Sequence, residues 1–189
     1  LFCFSDSLSS QQGQSTMNFT VSMDQPSHHY FHIEFRCEGI REQTMDLKMP
    51  AWTPGYYMIL DLAKYVINFQ AEDDKGNNLV WRKISKNSWQ VETHNVPVVA
   101  VSYDVYAYVQ SVAHPFLDDG RGFISPTGVF MYPDGYLQHP VTVSVKPFNK
   151  WKKISTGLDR IEGLSDTFFA SNFDLLYDCP ILTGTQDIL

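Results

Sequence analysis

Short stretches in which apolar and polar residues alternate run along the chain from Met17 onward, and turn residues separate them. A period of two is typical of half-buried β-strands, and many short strands at regular spacing are typical of a sandwich or barrel. The clearest stretch is VVAVSYDVYAYVQ, residues 98–110, in which Val101 and Tyr103 share one face and Ser102 lies on the other. We expect this strand at the centre of a sheet.

The same alternation predicts further strands elsewhere in the chain. They cover residues 17–23, 30–36, 44–49, 65–72, 79–84, 141–146, 151–155 and 167–170. The Asp, Gly and Asn residues of DDKGNN, residues 73–78, favour a tight reversal, so we expect 65–72 and 79–84 to pair as a hairpin. Only residues 58–64 suggest a helical turn. The predicted fold class is all-β, an antiparallel β-sandwich with one short helical segment.

A chain of 189 residues can bury one sizeable core, and we expect a single sandwich domain over residues 17–184. Residues 1–16, LFCFSDSLSSQQGQST, are predicted to be a flexible leader, either the remnant of a signal peptide or a frayed chain end. The signal-peptide interpretation favours an extracytoplasmic location, periplasmic or secreted. A frayed chain end would leave a cytoplasmic location as the alternative. Residues 185–189 are predicted to begin a linker.

Charge and cysteine content narrow the classes of function. The formal net charge is -7 and the basic residues do not gather on one stretch, which argues against nucleic acid as a partner. No apolar run reaches the roughly 18 residues of a membrane-spanning helix, so no membrane span is expected. Cys3, Cys37 and Cys179 lack the paired spacing of a structural zinc site, and at most one disulfide can form. Whether Cys37 pairs with Cys179 stays open.

Strong catalytic signatures are absent from the sequence. It contains no Gly-rich phosphate loop with its Lys, no nucleophile elbow and no CxxC pair. Asp118, Asp119 and Arg121 in LDDGRGF stand beside two glycines, which is typical of a solvated loop. We assign no catalytic, cofactor-binding or metal-binding residue to this chain.

The histidines of SHHYFHIEFRCEG imitate a zinc-binding helix. Such a helix places two imidazoles four residues apart, as His28 and His32 are, with a Glu beside the first, but His29 occupies that position. Phe31 and Ile33 instead alternate with polar residues, which predicts a strand. In a strand, His28 and His32 would share the polar face about 13 Å apart, too far to hold one metal ion.

A second informative stretch is MPAWTPGYYMILDLAKYV. Its TPGY sequence suits a type II turn, since Pro54 presets φ at the second position and Gly55 accepts a positive φ at the third. Trp52, Tyr56 and Tyr57 flank this turn. Such aromatics either plug the end of the sandwich core, which is the interpretation we favour, or stack on a sugar or peptide.

Several segments in order resemble the N-terminal domain of the glycyl aminopeptidases, zinc metallopeptidases whose chains continue into a thermolysin-like catalytic domain and usually a PDZ domain. MPAWTPGYYMILDLAKYV is similar to the family's W-x-P-G-S-Y segment, VSYDVYAY to its following strand and FLDDGRGF to its next loop. KWKKISTGL and FFASNFDLLYDCPILTG are similar to its closing segments. Tyr56 stands where the family usually has Ser, and Leu60 where an Arg commonly follows.

The resemblance implies a non-catalytic domain that packs against its own downstream catalytic domain and contributes to the cleft for a peptide substrate. Zinc and the HExxH motif would then lie outside residues 1–189, so no cofactor is expected in this chain. The residues expected at the cleft or interdomain contact are Trp52, Pro54, Gly55, Tyr56 and Tyr57. The alternative is a free-standing β-sandwich module that binds glycan or peptide.

Overall fold

A computed structural model describes residues 15–185. Within this range the chain forms strands with one short α-helix and three 3-10 helices. The strands are β1 (Thr16–Ser22), β2 (Tyr30–Glu38), β3 (Thr44–Lys48), β4 (Val66–Glu72), β5 (Trp81–Ser85), β6 (Ser88–Glu92), β7 (Val98–Tyr106), β8 (Phe116–Leu117), β9 (Arg121–Ile124), β10 (Tyr132–Pro133), β11 (Val141–Lys146), β12 (Lys153–Thr156), β13 (Asp159–Arg160), β14 (Thr167–Ala170) and β15 (Ile181–Gly184). The helix α1 is Phe173–Asp178, and the 3-10 helices are Pro26–His28, Leu62–Tyr65 and Pro126–Gly128.

Three sheets make up the fold. A seven-stranded sheet has the order β13-β14-β11-β1-β2-β7-β4, and two four-stranded sheets have the orders β10-β3-β6-β5 and β12-β15-β9-β8. Among the described strands, β1 and β11 pair in parallel and the other pairings are antiparallel. The predicted all-β sandwich is confirmed. The predicted leader, 1–16, and linker, 185–189, lie almost wholly outside the described residues and stay predictions.

The inner faces of the three sheets share one hydrophobic cluster. Along β1 and β2 every second side chain is buried, as the alternation predicts. The ring of Phe19 on β1 stacks on Phe35 of β2 at 4.5 Å between centroids and lies 4.9 Å from that of Phe130. Burying each such ring contributes about 1.5–3 kcal/mol to stability, so this aromatic seam is a principal source of cohesion.

The predicted hairpin between residues 65–72 and 79–84 holds only next to its turn, where Glu72 and Asn78 form an antiparallel bridge and the Leu79 N–H donates to the Ala71 carbonyl at 2.8 Å. Asp73 accepts hydrogen bonds from the backbone N–H groups of Lys75 and Asn77, both at 2.8 Å, and closes the turn. Beyond it the strands separate, because β4 pairs with β7 in one sheet and β5 pairs with β6 in another. Turn residues specify that a chain reverses but not which neighbour each strand then finds.

Two further expectations are corrected. The strand predicted over 98–110 ends at Tyr106, and since β4 forms the edge of its sheet, β7 is an inner strand next to that edge rather than the central one. The helical turn expected over 58–64 is the 3-10 helix Leu62–Tyr65. Apolar alternation does not predict the helix α1, although Asn172 before it is a favoured N-cap residue and accepts a hydrogen bond from the Leu175 N–H at 2.8 Å.

Cys37 and Cys179 are free thiols, so they do not pair with each other. Cys37 lies in the core, and burial together with the nearby charges of Glu38 and Glu42 raises the pKa of its thiol from 9.0 to about 12. Cys3 lies outside the described residues.

The buried hydroxyl of Tyr103 fixes the chain where it passes from β9 to β10. It donates to the Val129 carbonyl at 2.7 Å and accepts from the Met131 N–H at 3.2 Å. Tyr103→Phe leaves both backbone groups buried without this partner, and we expect the free energy of unfolding in urea to fall by about 1–3 kcal/mol. Tyr57→Phe is the control, because Tyr57 is fully exposed and its hydroxyl faces water. Equal stability of the two variants would contradict this role.

Stability should also fall in alkali because of Cys37. In the unfolded chain the thiol ionises near pH 9, whereas in the folded chain it stays protonated up to about pH 12. Between these values the unfolded chain binds fewer protons, so the free energy of unfolding falls by up to about 1.4 kcal/mol per pH unit. Urea unfolding at successive pH values should show that the free energy of unfolding declines less steeply with pH in Cys37→Ala than in the unmodified protein. Parallel declines would exclude this contribution.

Candidate functional site

The sequence TPGY forms the predicted tight turn. The Tyr56 N–H donates to the Thr53 carbonyl at 3.0 Å, and Gly55 has a φ of +72°. These features confirm the type II turn, in which the third residue needs the left-handed region that glycine enters without steric cost. No heavy atom lies within 4 Å of the position that a Cβ on Gly55 would occupy, so only the backbone conformation requires glycine here.

Hydrogen bonds at both ends hold the segment 51–60, here called the tip loop. The Leu60 N–H donates to the Ala51 carbonyl at 2.8 Å and closes the base of the loop. Near the turn, the hydroxyl groups of Thr53 and Thr127 are hydrogen-bonded at 2.8 Å, which ties the loop to the 3-10 helix Pro126–Gly128. The loop is therefore a fixed surface feature of the sandwich.

Two residues of the tip loop pack inward. Leu60 is buried in the core, and Tyr56 is partly buried against it. These are the two positions at which the sequence departs from the glycyl aminopeptidase pattern, where Ser and Arg are usual. In this chain both positions serve apolar packing.

Four other side chains of the tip loop face solvent, and we call them the apolar tip: Trp52, Tyr57, Met58 and Ile59. Tyr57 is 101% and Ile59 85% exposed, and Trp52 is 49% exposed with one edge toward the ring of Tyr177, 6.4 Å away. The favoured core-plug interpretation holds for Tyr56 but is wrong for Trp52 and Tyr57. Contiguous exposed apolar side chains mark interaction surfaces in folded proteins.

The histidines do not converge. The His29 Nδ1–H donates to the Leu117 carbonyl at 2.7 Å, while His32 Nδ1 lies 2.7 Å from a carboxylate oxygen of Asp104. The strand prediction holds for His32, which lies on the polar face of β2. It is wrong for His28, because Pro26 starts a 3-10 helix that includes it and His29 then adopts a left-handed conformation with φ of +62°.

Residues 15–185 contain no group of three His, Cys, Asp or Glu side chains arranged to hold a metal ion. In the same range no helix is both long and apolar enough to cross a membrane.

The charged loop LDDGRGF is a turn stabilised by its own side chain: the Asp118 carboxylate accepts hydrogen bonds from the backbone N–H groups of Gly120 and Arg121 at 2.9 and 3.0 Å. The charge of Asp118 therefore supports local structure.

Residues 18–185 match the family model described as the peptidase M61 N-terminal domain. The chain belongs to the peptidase M61 N-terminal domain family. This membership confirms the resemblance drawn from WTPGYY and the segments that follow it. No curated protein sequence matches this member of the family closely enough to count as a relative.

Solved structures show the same fold. An aminopeptidase N family protein from Idiomarina loihiensis superposes with a TM-score of 0.83 at 28% identity over 92% of this M61 N-terminal domain. An M1 zinc metallopeptidase from Deinococcus radiodurans gives 0.51 at 11% identity over 92% of this chain. A two-domain M1 zinc metallopeptidase mutant bound to L-tryptophan gives 0.51 at 10% identity, again over 92% of this chain.

This chain spans only part of those proteins. It covers 30% of the Idiomarina loihiensis chain and 43% of each of the two M1 chains. The M61 N-terminal domain thus corresponds to one part of much larger peptidase chains.

The turn that presents the apolar tip should depend on Gly55. Gly55→Ala forces an L side chain into the left-handed region, and we expect the free energy of unfolding to fall by about 1–2 kcal/mol. Gly163→Ala is the matched comparison, because Gly163 has a φ of +79° and is equally open. Urea unfolding should give similar losses for both variants. If Gly55→Ala left the free energy of unfolding unchanged while Gly163→Ala lowered it, the tip loop would be relaxing to accommodate the alanine.

Proposed function

We propose that this chain is the non-catalytic N-terminal domain of a zinc-dependent aminopeptidase of the glycyl type. In this proposal the apolar tip packs against the downstream catalytic domain and forms part of one wall of the substrate cleft. The observation that carries the proposal is a rigid loop with contiguous exposed apolar side chains in a member of the peptidase M61 N-terminal domain family.

The energetics of the apolar tip favour a permanent contact. Removing Tyr57, Met58 and Ile59 from water would contribute about 1.5–3 kcal/mol for each side chain that becomes fully buried. Because the turn and the Thr53–Thr127 hydrogen bond already fix the loop, little backbone freedom is lost on docking. Burying this surface therefore gains free energy from the hydrophobic effect and loses little conformational entropy.

In this proposal no chemical step falls to this domain. Zinc bound elsewhere in the parent protein would supply Lewis-acid activation of a water molecule. The residues of this chain contribute shape: the type II turn positions Trp52 and Tyr57, and the sandwich holds that turn in place.

The activity of the parent protein is tested on the full-length protein. We expect it to hydrolyse N-terminal glycyl and alanyl peptides, to lose this activity with a chelator and to regain it with zinc. Activity that survives complete zinc removal would contradict the proposed chemistry. A full-length protein that hydrolyses neither peptide class would exclude the peptidase and favour a binding module.

The packing role is tested by the double variant Tyr57→Ser/Ile59→Ser. In the 189-residue chain both side chains face solvent, so we expect the free energy of unfolding to change by less than about 0.5 kcal/mol. In the full-length protein we expect a lower unfolding temperature and a lower kcat/KM, because the interdomain contact is weakened.

Val80→Ser provides the matched control for that experiment. Val80 is an exposed apolar residue, but it lies in the connection between β4 and β5, outside the apolar tip. If the full-length double variant behaves like Val80→Ser, the apolar tip is not the contact surface.

A further inference from the structure

The outer face of the seven-stranded sheet carries a polar groove that the sequence did not reveal. Two open cavities, of about 430 Å³ and 440 Å³, lie along this face, and His32 lines both. Thr20, Glu34 and Gln70 contribute to the first cavity, and Tyr30 and Asp104 to the second. We call the joined cavities the sheet groove.

A hydrogen-bonded cluster stands where the two cavities meet. One carboxylate oxygen of Asp104 lies 2.7 Å from His32 Nδ1, and the other accepts from Asn68 Nδ2 at 2.8 Å. The three residues come from β2, β7 and β4, which are neighbours in the sheet. The carboxylate orients the imidazole and leaves its Nε2 as the ring nitrogen not engaged by Asp104.

The Asn68 amide reaches this cluster because β4 is irregular. The register between β4 and β7 shifts between Ile67 and Gln70, and Asn68 has a φ of +54°. A bulge of this kind re-aims a side chain at a local cost in strand regularity, and Asn is among the few residues that tolerate the left-handed region. The irregularity thus adds a third polar group to His32 and Asp104.

One aromatic ring, that of Tyr30, lines the groove next to this cluster, and other tyrosines pack behind it. Tyr30 lies two positions before His32 on the same face of β2, and its ring centroid is 5.3 Å from that of Tyr106. Tyr106 in turn lies 6.4 Å from Tyr65. Tyr30 is 37% exposed, so part of its side chain faces the groove and solvent.

The charge of the groove selects against anions. Its lining includes the carboxylates Asp24, Glu34, Glu72 and Asp104 but only one guanidinium, that of Arg36. Arg36 is already paired with Glu38 at 2.8 Å, outside the groove lining. Phosphate, sulfate and nucleic acid would therefore be repelled.

An added β-strand does not fit the floor of the groove either. The strands β1, β2 and β7 each have hydrogen-bonded neighbours on both sides, so their backbone groups are already paired. A ligand in this groove must be recognised by side chains. From Tyr30 to Arg36 the floor runs roughly 20 Å along β2, which suits an elongated ligand.

We propose that the sheet groove binds a neutral oligosaccharide. Sugar hydroxyl groups both donate and accept hydrogen bonds, so the imidazole, amide and carboxylate groups of His32, Asn68 and Asp104 all find partners on one ligand. The apolar face of a sugar ring packs on an aromatic ring such as that of Tyr30. This activity is separate from the proposed peptidase role and from the apolar tip.

Calorimetric titration of the full-length protein with cellohexaose, laminarihexaose and chitohexaose tests the proposal. We expect saturable binding of at least one of these sugars. His32→Ala and Tyr30→Ala should each weaken that binding at least about tenfold, the factor that about 1.4 kcal/mol represents. Asn68→Gly should weaken it as well while the protein stays folded, since glycine accepts the positive φ.

His94→Ala is the matched control, because His94 is an exposed histidine beyond the end of β6, outside the groove. It should leave sugar binding unchanged.

Failure of all three sugars to bind would overturn the proposal, and so would binding that is insensitive to His32→Ala and Tyr30→Ala. A lysine-rich peptide that binds where the sugars do not, and loses affinity in the same variants, would show that the groove recognises cationic peptides instead. Peptidase activity is measured separately, so loss of either function can be distinguished.

Discussion

Burial of one face of the seven-stranded sheet is the constraint on which the rest of the structure depends. The aromatic seam around Phe19 and Phe35 can form only if alternate residues of β1 and β2 point inward, and the residues between them must then face solvent. Side-chain alternation thus builds the core and the polar outer face at the same time. The loops at the sandwich ends are free of this alternation, which is why contiguous apolar residues such as Tyr57 to Ile59 can occur there.

The two surfaces differ in chemistry and in how they are built. The apolar tip comes from one continuous segment whose shape is set by a local turn and by the hydroxyl pair of Thr53 and Thr127. The sheet groove comes from strands that are distant in the chain and is held together by charge and hydrogen bonding around Asp104. A single sandwich can therefore present an apolar contact at a loop and a hydrophilic binding face on a sheet without either disturbing the core.

What could be predicted from the sequence follows the range over which each interaction acts. Alternation located eight of the nine predicted strands to within two residues at each end, and Pro54 with Gly55 predicted the type II turn, because both signals are local. Six of the described strands, namely β6, β8, β9, β10, β13 and β15, are not predicted by the sequence. The partner of β5, the place of His28 in a 3-10 helix and the exposure of Trp52 depend on tertiary packing that local patterns do not encode. The contact between His32 and Asp104 is the hardest feature to predict from the sequence, since it depends on the register between two strands and joins residues 72 positions apart.

The parallel pairing of β1 with β11 has a consequence for how the domain is made. Asn18 faces Thr142 in that register, and these residues are 124 positions apart in the chain. During synthesis at roughly 5–20 residues per second, β1 emerges several seconds before its parallel neighbour exists. For that interval one edge of β1 has no partner and is open to mispairing. Because such pairings join residues far apart in the chain, the contact order is high and the domain folds only after its C-terminal half has been made.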